Sequence, residues 1–290
     1  MSDAAMASIR HRLGIRRARR SGFGLFFWLP AGWLILISLA AMLAPWLAIP
    51  DPDGMDFTAL KAGPSAAHWL GTDMLGRDVL ARTLYGARVS LTVGFCAPLV
   101  GMAFGMPLGM IAGYFKGRTG ALIVGVIDTF LAIPALVLLL FALIFGGSLF
   151  IVTFSLGLLF IPVFARISRA ATLNFSTSEF VLAARAIGAT DTNILVRELL
   201  PNVVLPVVAY ALVAVGTAIV AEGALSFLGL SVPAPFPSWG GMIAGGREEL
   251  EHAPHISLAP ALVMFLTVLS FNLVGDALRS RFADVKEKAI

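Results

Sequence analysis

The chain has 290 residues, 58% of them hydrophobic and 13% charged, with a formal net charge of +4 at neutral pH. Soluble domains carry roughly 25% charged residues, so this composition excludes an ordinary water-soluble domain and points to a bilayer protein. A lone cysteine, Cys96, excludes an intramolecular disulfide, and its apolar setting reads as that of a small packing residue.

Segments 1–24 form a basic N-terminus, "RHRLGIRRARR" among them, ahead of a first apolar run. That run is longer than the h-region of a signal peptide, so an uncleaved anchor helix is expected at 25–48. Crossing a hydrocarbon core takes roughly 20 apolar residues. Further runs of that length predict spans at about 89–114, 203–225 and 257–278. The stretch Thr119–Ala165 holds one charge, Asp128, and is too long for one helix; Gly146-Gly147-Ser148 divides it into spans at 121–145 and 148–165. The expected fold class is therefore an all-α integral membrane protein with about six transmembrane helices. The connecting segments on one side hold sixteen Lys and Arg residues and those on the other hold five, which puts both termini in the cytoplasm.

Between the first two spans, the external segment 49–88 contains Asp73/Arg77 and Asp78/Arg82 at i,i+4, which predicts an interfacial helix leading into the second span. Gly101, Gly105, Gly109 and Gly113 then form a four-residue ladder, a bare backbone stripe suited to close helix packing. Intramembrane acids are costly and so are functional suspects: Asp128 and Glu222 are the pore candidates, with a buried hydrogen bond and plain surface exposure as their respective ordinary explanations. The external loop 226–256 carries Pro233, Pro235 and Pro237 before Trp239. It is expected to be either a docking surface for an outside partner or a lid over the bundle, with the tryptophan at the membrane–water boundary. The chain has no phosphate-binding G-x-x-x-x-G-K-[ST], and His252 and His255 straddle Pro254, so neither a bound nucleotide nor a metal is expected.

Between the fourth and fifth expected spans lies a polar stretch, "EFVLAARAIGATDTNILVRELLPN", residues 179–202. Ser176 and Glu179 have capping-box spacing, Gly188 suits a left-handed helix end, Asp191 can cap a second short helix, and Pro201 marks entry into the fifth span. Two short helices at an angle are expected, with Ala183-Ala184 leaving room for another protein.

This stretch resembles the E-A-A-x(3)-G-x(9)-I-x-L-P motif of ABC importer permeases through Ala183, Ala184, Gly188, Leu200 and Pro201. Leu182 and Glu198 depart from it. With "GTDMLGRDVLARTLYGARVSL", "EGALSFLGL", "PSWGGM" and "FNLVGDALR", the chain is similar to the second permease of dipeptide, oligopeptide and nickel importers across residues 71–279; "SRFADVK" near the end departs from that family's tail. The resemblance implies a type I importer permease fold with a five-helix core at 89–278, a cytoplasmic coupling segment at 166–202 and a cytoplasmic tail at 279–290. It implies a multi-pass protein of the bacterial inner membrane that takes up peptides, with nickel as the alternative cargo and a proton-coupled carrier as the alternative class. It further implies no cofactor in this chain and no catalysis by it. The partners would be a second permease, two ATPase subunits that bind ATP and Mg²⁺, an external substrate-binding protein and membrane lipid, with no nucleic acid. Glu179, Ala183, Ala184, Arg185, Gly188, Ala189, Asp191 and Pro201 would contact the ATPase.

Overall fold

Apolar helices gain little from burial against one another in lipid, so close approach and good packing must hold them together. The glycine ladder supplies that approach. In a computed structural model, which describes residues 24–132, 134, 148–231 and 236–287, the ladder lies on helix α2 (Val79–Phe115). It faces α4 (Leu149–Phe175). A Cβ on Gly101, Gly105 or Gly109 would collide with Phe160, the Ile161 carbonyl or Ser168, and one on Gly113 would come within 2.9 Å of the Arg169 carbonyl. The approach is mutual, because Gly157 of α4 abuts Val100 of α2. Ser168 Oγ donates across the seam to the Met106 carbonyl at 3.1 Å.

Around this pair stand α1 (Leu25–Leu43, prolonged by a 3₁₀ turn to Trp46), α3 (Gly117–Ala132), α6 (Asp191–Phe227) and α8 (His255–Glu287). Two short helices lie at the ends of the bundle, α5 (Glu179–Ala186) and α7 (Trp239–Gly246). Among the described residues five helices are long and apolar enough to cross a membrane. Only the first part of the expected third span, α3, is described; its remainder and the Gly146-Gly147 turn lie outside the described residues, as do the basic N-terminus, Pro233 and Pro235.

α1 is peripheral. Ile37 and Ala41 face inward, and Trp33 Nε1 donates to Thr267 Oγ1 of α8 at 3.1 Å, while Phe26, Leu29, Leu36 and Met42 are exposed. α6 meets α2 where Gly94 receives Ile219, and meets α8 at Gly216 and Gly275. Phe164, Val203, Val207 and Leu156 form the fully or nearly fully buried centre.

Three expectations change. No separate interfacial helix precedes α2, because Asp78 is its N-cap and accepts from the Ala81 N–H at 2.7 Å. The charged pairs regroup around that cap: Asp73 binds Arg77 at 2.7 Å within a turn, Asp78 binds His68 at 2.9 Å, and Arg82 turns to Asp53 at 3.0 Å. Cys96 is exposed on α2 rather than packed inside. Finally, Trp239 is wholly buried rather than at a boundary: its ring N–H donates to the Thr83 carbonyl at 3.0 Å, and Gly240 rests against Gly223. α7 is thus packed into the bundle end.

Candidate functional site

The polar hairpin leaves α4 at Ser176 and re-enters the bundle through α6. α5 begins after Ser178, whose backbone is extended, and no side chain caps it. The capping box therefore does not form; Ser176 Oγ donates instead to the Leu173 carbonyl at 3.0 Å, because α4 is still turning there. Glu179 sits exposed in the first turn of α5, where a negative charge suits the helix dipole.

Val181 and Ala184 of α5 are buried with Met110, Ile194 and Leu199. Adjacent helical residues stand about 100° apart, so Ala183 and Ala184 cannot share a face. Ala183 is exposed and Ala184 is turned into the bundle, leaving one of the expected pair available to a partner. The helix ends in a Schellman turn: Gly188 adopts φ +84°, its N–H donates to the Arg185 carbonyl at 3.1 Å, and the Ala189 N–H donates to the Ala184 carbonyl at 3.0 Å. Nothing lies within 4 Å of where a Gly188 Cβ would stand, so this tip is open space. Beside it Ile187 is 86% exposed, with Leu182 and Val196 also exposed.

The second limb is not a separate helix. Thr190, not Asp191, supplies the cap, and the helix from Asp191 runs without a break to Phe227. Its residues Ile194–Leu199 are π-helical, and the Leu200 N–H reaches back to the Leu195 carbonyl. A proline at the next position has no N–H to place, so the register returns to α-helical there with no broken bond. Pro201 is accordingly an exposed residue within α6.

Released from capping, Asp191 accepts from Tyr114 Oη at 2.6 Å. Arg185 Nη2 donates to the same hydroxyl at 3.1 Å and lies over the ring, 5.6 Å from its centroid. The Tyr114 hydroxyl beside it holds the exposed Arg185 guanidinium above its ordinary range, so it stays charged. One tyrosine in the last turn of α2 thereby ties both limbs of the hairpin to the bundle. Tyr114 has no sequence signal of its own; it stands more than seventy residues from the motif it clamps.

The two acids separate. Glu222 is 0% exposed, against the surface setting that its position suggests, and accepts from Ser226 at 2.8 Å, Ser231 at 2.7 Å and Ser90 at 3.4 Å. Ser90 in turn accepts from the Trp239 N–H at 3.2 Å, which joins α2, α6 and α7. Asp128 of α3 is not inside the bundle. It pairs with Arg166 of α4 at 2.6 Å, their side chains 51% and 60% exposed. The partner was not evident in the sequence because it lies 38 residues away. His255 contacts the Thr72 carbonyl, and among the described residues no cluster could hold a metal ion.

Residues 105–284 match the family described as "Binding-protein-dependent transport system inner membrane component". The chain is 40% identical over 252 residues to a glutathione transport system permease protein, GsiD, of Pectobacterium atrosepticum, covering 86% of this chain and 84% of that one. The Escherichia coli protein of the same description is 40% identical over 249 residues, covering 85% and 82%. The fold of this chain is similar to that of a chain of the MetNI methionine ABC transporter in inward-facing conformations, with a TM-score of 0.58 at 20% identity, covering 70% of this chain and 96% of that one. A second crystal form gives 0.55 at 18% identity. Permeases of this kind are membrane pore subunits and not enzymes, and the ATPase is a separate subunit. The chain belongs to the binding-protein-dependent inner-membrane family, as a multi-pass permease of an ABC importer with the type I fold.

Proposed function

We propose that this permease forms, with a second permease, the path for uptake of short peptides, and that the hairpin at α5 is the knob gripped by one of two ATPase subunits. The tip of the hairpin carries this reading. Ile187 stands almost fully exposed beside an open Gly188, yet both limbs are tied to α2 through Tyr114. Exposed apolar surface on a rigid mount suits a protein partner, and a push on it passes directly into α2, α4 and α6. ATP and Mg²⁺ would reside in the ATPase subunits, which on binding nucleotide would close and swing the spans from inward- to outward-facing. An external binding protein would then deliver cargo.

The excess of Lys and Arg on the hairpin side supports a cytoplasmic hairpin and cytoplasmic termini. The peptide reading follows the relatives, whose names specify glutathione. Glu179, Arg185 and Ala189 would form the flank of the contact, and Ala183 its small, closely approached face.

Ile187→Asp and Arg185→Glu test the reading in a complex reconstituted with its ATPases and binding protein. Each should leave the amount of folded permease unchanged and lower binding-protein-stimulated ATP hydrolysis at least tenfold. Full stimulation in both variants would remove the hairpin from coupling. Uptake of glutathione, alanyl-alanine and Ni²⁺ in the same vesicles separates peptide from nickel transport.

A further inference from the structure

We propose that the lobe at residues 51–76, between α1 and α2, is the surface on which the external binding protein docks. Its centre is an apolar patch edged by acids, which fits a soluble partner carrying an apolar spot ringed by lysine and arginine. This deepens the importer reading, by naming where that partner lands, and rests on it.

The lobe is built inside out. Two stretches pair in opposite directions: the Asp56 N–H donates to the Gly76 carbonyl at 3.3 Å, the Lys61 N–H to the Asp73 carbonyl at 3.0 Å, and the Thr72 N–H to the Ala62 carbonyl at 2.9 Å. Its polar groups are the buried ones. Thr72, Asp73 and Asp78 are buried, and Thr72 Oγ1 donates to the Ala59 carbonyl. The buried Arg82 donates to the Pro52 carbonyl at 2.9 Å and to Asp53 at 3.0 Å. The large apolar side chains are left outside: Phe57 is 70% exposed, and Leu60, Met74 and Leu75 are exposed as well. The pairing sets Phe57 and Leu60 on one stretch beside Leu75 and Met74 on the other. Trp69, in the connection between the stretches, is 73% exposed. Polar inside and apolar outside is the reverse of a self-contained fold, and a firmly bonded apolar surface of this kind suits a partner.

Charge argues against lipid as the occupant. Residues 51–78 hold five acids and two bases, so the lobe does not enter hydrocarbon, and its negative balance gains nothing from phosphate headgroups. The family match argues against the second permease. It begins at residue 105, so the lobe lies outside the part that binding-protein-dependent permeases have in common. A contact that every such importer needs, between its permeases or with its ATPases, belongs to that common part. The alignment with the Pectobacterium atrosepticum GsiD, by contrast, spans 252 residues of this 290-residue chain and is too long to leave out the lobe. The lobe therefore goes with one branch of the family, as a fit to that branch's own binding protein requires.

The edge of the patch sets the chemistry of the partner. Lys61 pairs with Glu249, which brings the exposed Glu248 and Glu251 of the link between α7 and α8 to the side of the lobe, and Asp51 is exposed on the lobe itself. These acids call for lysine and arginine opposite them. A partner that docks and leaves at every cycle is served by a small apolar centre with a charged edge, because the charges speed encounter and the small centre does not hold it permanently.

The test uses the assembled importer in nanodiscs, titrated with its binding protein. Phe57→Ser combined with Leu75→Ser should leave the amount of assembled complex unchanged and maximal stimulation of ATP hydrolysis near wild type. The concentration of binding protein giving half-maximal stimulation should rise by about tenfold or more. Glu251→Lys should raise it severalfold and flatten its dependence on salt. An unchanged half-stimulating concentration in the double variant overturns the proposal, and loss of the second permease from that complex overturns it by making the patch a permease contact. Leu60→Cys, on a Cys96→Ser background and carrying a thiol-to-amine crosslinker, should capture the binding protein; capture of the second permease alone overturns the proposal. Crosslinking needs no ATP hydrolysis, so it reads docking even where the wild-type complex shows no stimulation, the result that strikes the importer reading.

Discussion

The two ends of the bundle solve the same connection problem in opposite ways. At one end, the link from α4 to α6 is an exposed hairpin held by a single tyrosine clamp and two buried aliphatic contacts, Val181 and Ala184. At the other, the link from α6 to α8 is drawn inside: Trp239 is fully buried, Gly240 touches Gly223, and a buried carboxylate gathers three serine hydroxyls. The first leaves its apolar tip outward, with Ile187, Leu182 and Val196 exposed. The second turns Ser231 and Ser238 inward and fixes α7 to α2 and α6. An exposed link that is stiffly mounted can transmit motion, and a buried, cross-tied link moves with the helices it joins.

Substitutions graded along the seam and the two ends sharpen this contrast. The largest effect should come from the seam that joins them. Gly109→Leu places a side chain where Ser168 and the Ala165 carbonyl already stand, so α2 and α4 must separate. The expected cost is about 3 kcal/mol or more, read as loss of monodisperse protein or a collapsed Tm in detergent. A wild-type Tm would mean that α2 and α4 are not so closely joined.

Next comes the buried end. Glu222→Ala removes the acceptor shared by Ser90, Ser226 and Ser231, and should destabilise by about 2–3 kcal/mol. Trp239 fluorescence should shift to the red as α7 loosens. An unchanged spectrum would show that α7 is held without the network.

The smallest effect belongs to the exposed end. Tyr114→Phe keeps the ring beneath Arg185 but loses the hydroxyl that joins it to Asp191, at a cost of about 1 kcal/mol. Stability should barely move, while stimulated ATP hydrolysis falls severalfold because the knob is less firmly mounted. A larger loss of Tm than in Glu222→Ala would reverse the assignment of the two ends.

Much of this was legible from one dimension. The long apolar runs announced the crossing helices because a hydrocarbon core demands about twenty such residues whatever their neighbours. Gly188 announced its turn because φ near +84° is strained for any residue with a Cβ. The charged pairs near residue 78 misled because i,i+4 spacing is necessary for a helical ion pair and not sufficient: Asp78 gained more by capping α2. The capping roles of Ser176 and Asp191 failed because each found another setting: Ser176 still turns with the end of α4 and bonds its Leu173 carbonyl, and Asp191 accepts from Tyr114 of α2.

Composition and periodicity by themselves determined that the chain crosses a bilayer several times and breaks its apolar pattern with one folded polar hairpin. Those properties depend on local transfer energies and backbone preferences, which each residue carries with it. Only the tertiary structure decided which helix fills the glycine stripe, that Tyr114 clamps the hairpin, that Glu222 is sealed among serines and that Asp128 meets Arg166. Each of those joins residues far apart along the chain, and such meetings are fixed by how helices pack in three dimensions.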